Sequence, residues 1–276
     1  MRGDAAEAVP HVALDQKRVG ARQSSGRQGL SMSDSFSGQP PFKVFLVGAG
    51  PGDPELLTRK AYRLLQSANV VLHDELVSPL VLDVIPEQAI KFNVGKRCGK
   101  KSFSQDKIHQ MMIEYARGGA LVVRLKGGDP MIFGRAGEEI AALRTAGIGV
   151  EVVPGITASV GAAAAVQVPL TDRTCASTVV VTTTQHASES RRSAGRQAGE
   201  PETTLVIYMP GAYQNLAGML LERGFAESTP CLLVSHACMN SQKTLRTTVA
   251  NISQTRLLPA PVVLIVGTVV DLYARD

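Results

Sequence analysis

From Phe42 onward, short apolar runs alternate with stretches of helical periodicity. The runs FKVFLVGAG, NVVLHD, AIKFNV, ALVVRLKG and GVEVVPG are almost continuously apolar, as expected of strands that are buried on both faces. Between them, the spacing of apolar residues predicts helices over PELLTRKAYRLLQSA, residues 104–117 and residues 134–146, the last closed by Gly147. This alternation predicts a parallel α/β sheet with helices on both faces.

The second half of the chain is predicted to form a second α/β unit. The segments STVVVTTT, TTLVIYM, PCLLVSHA, TLRTTVANIS and APVVLIVG are predicted strands, with one clear helix at AYQNLAGMLLERG and a long polar loop at QHASESRRSAGRQAGEPE. We therefore predict two domains, residues 42–154 and 155–276, joined near Pro154–Gly155. Ligands of such sheets bind beyond the carboxyl ends of the strands.

Residues 1–41 differ in composition from the rest of the chain. They are rich in Gly, Ser, Gln and Arg and show no sustained periodicity, so they cannot bury enough apolar surface to offset the entropy lost on ordering. We predict a disordered N-terminal tail. It has no apolar run of the kind that a signal peptide needs, and Met32 is an alternative start of translation by hypothesis.

Composition narrows the class of partner. The 276 residues carry 29 Lys and Arg against 24 Asp and Glu, a mild excess that is dispersed, which fits a small acidic ligand better than nucleic acid. No apolar run approaches the ~18 residues of a membrane helix. The four cysteines lack zinc-site spacing, so we expect free thiols in a reducing cytoplasm and no metal.

Glycine-rich turns follow two of the predicted strands. VGAGPGDPELLT imitates a dinucleotide fingerprint, but Asp53 stands where its third glycine belongs, and Pro51 and Pro54 remove amide donors. A nicotinamide-dependent oxidoreductase is therefore the weaker alternative. In RLKGGDP, the paired glycines Gly127 and Gly128 allow a bulky ligand to touch the backbone.

Charged residues lie at the ends of the neighbouring predicted strands. Asp74 ends the second strand, and Lys96 and Arg97 follow the third. The carboxyl ends of parallel strands lie at one edge of a sheet. An aspartate, a lysine and a glycine turn are therefore predicted to face one crevice, whereas a binding module without catalysis would need no such acid and base.

Six motifs in order, VGAGPGDPELLT, HDELVS, VGKR, RLKGGDPMIFGRAGEE, VVPGITAS and PLTDR, resemble the tetrapyrrole methylase family over roughly residues 43–270. The resemblance implies two α/β domains with the active site in the cleft between them, a homodimer, and S-adenosyl-L-methionine as methyl donor. It implies C-methylation of uroporphyrinogen III to precorrin-2, via precorrin-1, in sirohaem or cobalamin biosynthesis. The alternative within the family is methylation of a later precorrin or cobalt-precorrin intermediate. From the length, we expect no fused dehydrogenase or ferrochelatase domain.

The same resemblance implies roles for individual residues. Asp74 matches the proton acceptor of the family and Lys96 its proton donor. The positions that match the methyl-donor site are Pro51, Gly127, Gly128, Asp129, Ile132, Thr157, Ala158, Met209 and Ala237. Guanidinium and ammonium groups pair with carboxylates, so the candidates to bind the acetate and propionate arms of the substrate are Arg97, Arg124, Lys126, Arg135 and Arg173. Departures from the family pattern on the substrate side are Glu75, Asp172 and Gln185.

Asp129 admits two interpretations. If its carboxylate contacts the ligand, Asp129→Ala should lower ligand affinity roughly ten- to a hundred-fold and leave the fold intact. If it only caps the turn before Pro130, the same change should cost about 1 kcal/mol of stability and leave affinity unchanged. The resemblance favours the ligand contact.

Deleting residues 1–31 is expected to leave folding and activity intact, because the composition of the segment gives it no core to join. Thermal unfolding and activity of the truncated and full-length chains check this. A large fall in melting temperature on truncation would show that the tail docks on the folded part.

Overall fold

The computed structural model describes residues 42–95, 103–184 and 202–273, and these contain two five-stranded sheets. The predicted tail at residues 1–41 and nearly all of the predicted polar loop lie outside the described residues. The two sheets with their helices confirm the predicted α/β fold class. The predicted domain boundary near Pro154–Gly155 falls between the last strand of the first sheet and the next helix, and it remains a prediction.

The first sheet is entirely parallel, with the strand order β3-β2-β4-β1-β5. Its strands coincide with the five predicted apolar runs: β1 (Lys43–Gly48), β2 (Val70–His73), β3 (Ile90–Asn93), β4 (Val122–Lys126) and β5 (Gly149–Val153). Because all five run the same way, the loops that follow them emerge at one edge of the sheet.

Helices cover both faces of this sheet, as the apolar runs predict. They are α1 (Arg59–Ser67), α2 (Pro79–Asp83), α3 (Gln105–Arg117) and α4 (Ala136–Thr145). Val47 packs with α1 and α2 on one face, whereas Leu46 packs with α3 and α4 on the other. The long helix predicted at PELLTRKAYRLLQSA is shorter than expected, because Pro54–Leu56 forms a separate 3-10 turn and Thr58 caps α1. Helix α2 was not predicted, since five residues carry too little periodicity.

The second sheet is mixed, with the order β6-β7-β10-β8-β9. The two strands β6 and β7 are parallel and the other pairs are antiparallel. All five predicted strands are present: β6 (Thr178–Thr183), β7 (Thr203–Tyr208), β8 (Pro230–Ser235), β9 (Lys243–Thr248) and β10 (Val262–Val266).

Three helices pack on the second sheet. Helix α6 (Leu216–Glu222), predicted from its periodicity, lies on one face, and α5 (Ala158–Ala165) and α7 (Val269–Tyr273) lie on the other. Helix α5 was not predicted, because the residues of ASVGAAAA are small and mostly apolar on every side of the helix. Such a helix has no polar face and therefore shows no periodic pattern. Among the described residues, no helix has both the length and the apolar character to cross a membrane.

Candidate active site

Three loops meet backbone to backbone at the carboxyl ends of β1, β4 and β5. A Cβ atom on Gly48 would lie 2.6 Å from the nitrogen of Gly155 and 2.7 Å from the carbonyl oxygen of Gly128. A Cβ atom on Gly155 would overlap the same oxygen. The amides of Gly50 and Gly128 also exchange hydrogen bonds, of 3.1 and 2.9 Å. We call Gly48, Gly128 and Gly155 the glycine junction.

Space remains beside the paired glycines at the end of β4. A Cβ atom on Gly127 would make only ordinary contact, 3.5 Å from Cβ of Leu76, and one on Gly128 would lie 3.6 Å from the nitrogen of Ala158. Gly128 has a φ of +65°, a conformation that favours glycine. A side chain at Gly127 would therefore reach ordinary contact distance from Leu76 without overlap, so the backbone of this turn is less crowded than the glycine junction.

The carboxylate of Asp129 joins two of the three loops. Its Oδ1 accepts a hydrogen bond from the amide of Met131 at 2.8 Å, and its Oδ2 accepts one from the amide of Gly155 at 3.0 Å. Both carboxylate oxygens thus accept hydrogen bonds from backbone amides, which favours the interpretation that Asp129 stabilises the turn. Each oxygen can still accept a second hydrogen bond, so contact with a methyl donor stays a prediction.

The second sheet contributes to the same region through α5. A Cβ atom on Gly161 would lie 2.8 Å from Cβ of Pro51, so helix α5 packs directly on the loop after β1. The hydroxyl of Tyr208, at the end of β7, lies 2.6 Å from Oγ1 of Thr157 and accepts a 2.8 Å hydrogen bond from the amide of Ser159. We call the region where these loops meet α5 and the end of β7 the cleft, in keeping with the family resemblance.

Left-handed backbone conformations cluster around this cleft. In the loops after β4, β7 and β8, five residues other than glycine have positive φ: Phe133, Arg135, Met209, His236 and Cys238. Such conformations cost on the order of 1–3 kcal/mol each and are concentrated at ligand sites. Ala237 lies between two of them, and the side chains of Ile132 and Met209 remain 41% and 36% exposed. The predicted methyl-donor residues therefore lie on the loops of this cleft.

Four charged side chains form a cluster behind the cleft. Arg124 donates from Nε to Oε1 of Glu139 at 2.8 Å and from its terminal NH2 to Oδ1 of Asp74. The ammonium of Lys126 lies 3.1 Å from Oε2 of Glu139 and 4.0 Å from Oδ2 of Asp74. Glu139 is fully buried, whereas the side chain of Asp74 is 30% exposed. We call these four residues the charge cluster.

Burial and pairing oppose each other in the charge cluster. Burial disfavours the charge on Arg124, but Asp74 and Glu139 together outweigh it and raise the pKa of the guanidinium. The pKa of the Lys126 ammonium is lowered, first by burial and then by repulsion from Arg124. Arg124 therefore stays charged, and it is the fixed cation of the cluster.

The five predicted substrate-binding bases separate into three groups. Arg124 and Lys126 are buried, and their charged ends face carboxylates of the protein, an arrangement that we did not predict. Arg135 and Arg173 are exposed, and Arg135 pairs with Glu138 on α4. Arg97 lies outside the described residues, as does Lys96, the predicted proton donor, which is not one of these five.

Two of the residues that depart from the family pattern form hydrogen bonds within the chain. The carboxylate of Glu75 accepts a 2.7 Å hydrogen bond from the side-chain amide of Asn93. Asp172 accepts hydrogen bonds from Thr174 and Tyr273, which lower its pKa to about 2. Both acids are thus engaged by neighbouring side chains, while Gln185 lies outside the described residues.

The family to which this chain belongs follows from a match to a protein-family model. The model of the Tetrapyrrole (Corrin/Porphyrin) Methylases matches residues 43–253. The chain belongs to the tetrapyrrole methylase family.

Curated relatives of this tetrapyrrole methylase differ in how much of their own length the chain covers. It is 42% identical over 238 residues to the chloroplastic S-adenosyl-L-methionine-dependent uroporphyrinogen III methyltransferase of Arabidopsis thaliana, covering 84% of this chain and 64% of that protein. It is 43% identical over 232 residues to the uroporphyrinogen-III C-methyltransferase of Paracoccus denitrificans, covering 82% and 81%. Siroheme synthases also match, and the chain spans 48% of the one from Psychrobacter sp..

Solved structures resemble the chain over the same region. The uroporphyrin-III C-methyltransferase of Thermus thermophilus, complexed with S-adenyl homocysteine, has a TM-score of 0.72 and 38% identity, covering 84% of this chain and 100% of that one. A cobalt precorrin-4 methyltransferase has a TM-score of 0.70 and 27% identity, covering 83% and 96%.

Sequence reasoning missed three residues of the site. Glu139 has a detectable signal, because Arg124 and Lys126 alternate within a buried strand and require a buried anion. The other two are Tyr208, at the end of β7, and Phe133, in the loop after β4, whose rings lie 5.1 Å apart. Their contact has no local signal in the sequence.

Asp129→Ala is expected to lower the free energy of unfolding by roughly 1–3 kcal/mol, because two backbone amides would lose their acceptor. Urea denaturation measures this, with Asp83→Ala, an exposed acid at the end of α2, as control. The control should stay within about 0.5 kcal/mol of the parent. Unchanged stability with a ten-fold or greater loss of S-adenosylhomocysteine affinity, roughly 1.4 kcal/mol, would instead make Asp129 a ligand contact.

Proposed function

We propose that this tetrapyrrole methylase transfers methyl groups from S-adenosyl-L-methionine to carbon atoms of uroporphyrinogen III, giving precorrin-2 via precorrin-1. The observation that carries the proposal is the adjacency of Asp74 to the glycine turn at Gly127. The amide of Asp74 donates a 3.1 Å hydrogen bond to the carbonyl of Leu125, two residues before Gly127. The predicted ligand-binding turn and a partly exposed carboxylate thus lie side by side.

The relatives support the substrate and the donor. Those named for methylation of uroporphyrinogen III are 42% and 43% identical to this chain, and a structural neighbour named for the same activity is complexed with S-adenyl homocysteine. The neighbour named for a later corrin intermediate is only 27% identical. The first step of the pathway is therefore the proposed reaction, and later intermediates remain the alternative.

The residues of the cleft fit a bulky methyl donor. Gly127 and Gly128 leave backbone free for close approach, and the exposed side chains of Ile132 and Met209 offer apolar surface at its border. We assign the other predicted methyl-donor residues to the same site: Pro51, Asp129, Thr157, Ala158 and Ala237. When bound, the donor supplies an electrophilic sulfonium methyl group.

In the proposed mechanism, orientation of the two bound partners accounts for most of the rate. A pyrrole ring becomes positively charged when its carbon is methylated, and the Asp74 carboxylate stabilises that charge. Its Oδ2, which Arg124 does not occupy, is the atom that accepts the proton then lost from the ring. Lys96 stays the proposed proton donor.

The acidic arms of the substrate need exposed cations. We propose that Arg97, Arg135 and Arg173 pair with acetate and propionate groups, since Arg135 and Arg173 are exposed. Arg124 and Lys126 are assigned to the charge cluster instead. We further propose a cytoplasmic homodimer in sirohaem or cobalamin biosynthesis, which the family resemblance supports.

The test is an anaerobic assay of the purified chain with uroporphyrinogen III and methyl-labelled S-adenosyl-L-methionine. We expect label in precorrin-1 and precorrin-2, and a loss of about 10²- to 10⁴-fold in kcat for Asp74→Asn, because the amide cannot accept the proton.

Calorimetry supplies the independent readout. S-adenosylhomocysteine should bind the parent and Asp74→Asn alike, and NAD should bind far more weakly, since the dinucleotide fingerprint is incomplete. Tight NAD binding without any response to the methyl donor would contradict the proposal. Methylation of later intermediates but not of uroporphyrinogen III would favour the alternative.

A further inference from the structure

Glu139 is a buried acid that the proposed mechanism does not use directly. It lies in the first turn of α4 with no exposed surface, whereas its neighbour Glu138 is exposed and pairs with Arg135. A buried carboxylate is costly unless it is paired and hydrogen-bonded. Glu139 is paired with two cations, and its Oε1 accepts hydrogen bonds from Nε of Arg124 at 2.8 Å and from the ammonium of Lys126 at 3.2 Å. Its Oε2 lies 3.1 Å from the same ammonium but accepts no hydrogen bond from the described residues, so the ion pair with Lys126 is what stabilises that oxygen.

Arg124 is held in one orientation by hydrogen bonds in three directions. Its Nε donates to Glu139, one terminal nitrogen donates to the carbonyls of Leu72 and Leu125 at 3.3 and 3.2 Å, and the other donates to Asp74. A planar guanidinium fixed in this way also fixes the carboxylate that it binds. The orientation of Asp74 therefore depends on Glu139 through Arg124.

Glu139 also balances the charge around Asp74. The charge cluster holds two cations and two carboxylates, and the ammonium of Lys126 lies nearer to Glu139, at 3.1 Å, than to Asp74, at 4.0 Å. Without the charge of Glu139, both cations would have Asp74 as their sole carboxylate partner in the cluster. Lys126 would then turn toward Oδ2 of Asp74, the atom that the proposed mechanism needs.

We propose that Glu139 is a positioning residue that holds Lys126 away from Asp74 and fixes Arg124, so that one oxygen of Asp74 stays available to the substrate. This inference rests on the proposed function, because it assigns a role relative to the carboxylate of that reaction. On this proposal, Glu139, the second glutamate of the GRAGEE motif, acts on the site through Arg124 and Lys126 and contacts neither ligand itself.

The test compares Glu139→Gln with the charge-balanced double variant Glu139→Gln/Lys126→Met in the full chain. In the single variant, kcat with uroporphyrinogen III should fall about ten- to a hundred-fold through misplacement of Asp74. Affinity for S-adenosylhomocysteine should stay within about two-fold, because the hydrogen bonds and ion pairs of Glu139 go to Arg124, Lys126 and Gln105 and to neither glycine of the turn. The double variant should regain at least about three-fold in kcat, since neutral partners remove the competing cation.

Glu114→Gln, an exposed acid on α3, is the matched control and should keep the parent kcat. Parent kcat in Glu139→Gln, or a double variant no better than the single one, would overturn the proposal. If the single variant does not fold, the double variant decides: kcat within about ten-fold of the parent supports the proposal, and a larger loss or failure to fold overturns it.

Crystal structures test the positioning role without any measurement of activity. The structure of the parent is compared with that of Glu139→Gln or, if the single variant does not fold, with that of the double variant. In the single variant, the Lys126 ammonium should move from 4.0 Å to about 3 Å from Asp74. If Glu139→Gln does not fold, Asp74 should keep its parent orientation in the double variant. Either structural result would support the positioning role even if the parent chain failed to methylate uroporphyrinogen III. That failure would refute only the proposed function. An unmoved Lys126 in the single variant, or a reoriented Asp74 in the double variant, would refute the positioning role.

Discussion

The close approach of Gly48, Gly128 and Gly155 is the contact on which the rest of the site depends. Strands β1, β4 and β5 can bring their carboxyl ends together only because no side chain separates these backbones. The chain leaves Gly155 directly into α5, whose Gly161 packs on Pro51 in the loop after β1. One backbone contact therefore sets where the first residues of the second half lie relative to the first sheet. The cleft follows from that placement.

Asp129 and the charge cluster are fixed to this junction from two sides. Asp129 reaches from the end of β4 to the amide of Gly155, so it joins two of the loops that the glycines bring together. Arg124 and Lys126 alternate on β4 directly before the glycine turn; Arg124 pairs with Asp74, which follows β2, and Lys126 pairs more closely with Glu139. The same strand thus carries the glycine turn and the cation that binds the carboxylate beside it.

Much of this arrangement is readable from the sequence, and the remainder depends on contacts between distant segments. Most of the strands follow from apolar runs, although β9 (KTLRTT) is largely polar. Asp74 and Gly127 are brought together because the carboxyl ends of parallel strands share one edge. Helix α5 lacks a polar face, so periodicity does not reveal it. The strand pattern around Arg124 indicates that a cation is buried, but it does not show which acid, fifteen residues later, faces it.

The most direct test of this account is the pair Gly155→Ala and Gly137→Ala, measured by urea denaturation and by calorimetry with S-adenosylhomocysteine. A methyl group at Gly155 must displace the backbone of Gly128, whereas one at Gly137 meets no atom within 4 Å. We expect Gly155→Ala to lose on the order of 1–3 kcal/mol of stability and to bind S-adenosylhomocysteine more weakly. Gly137→Ala, in the first turn of α4, should gain up to about 1 kcal/mol and bind normally. A Gly155→Ala variant with parent stability and parent affinity would contradict the account.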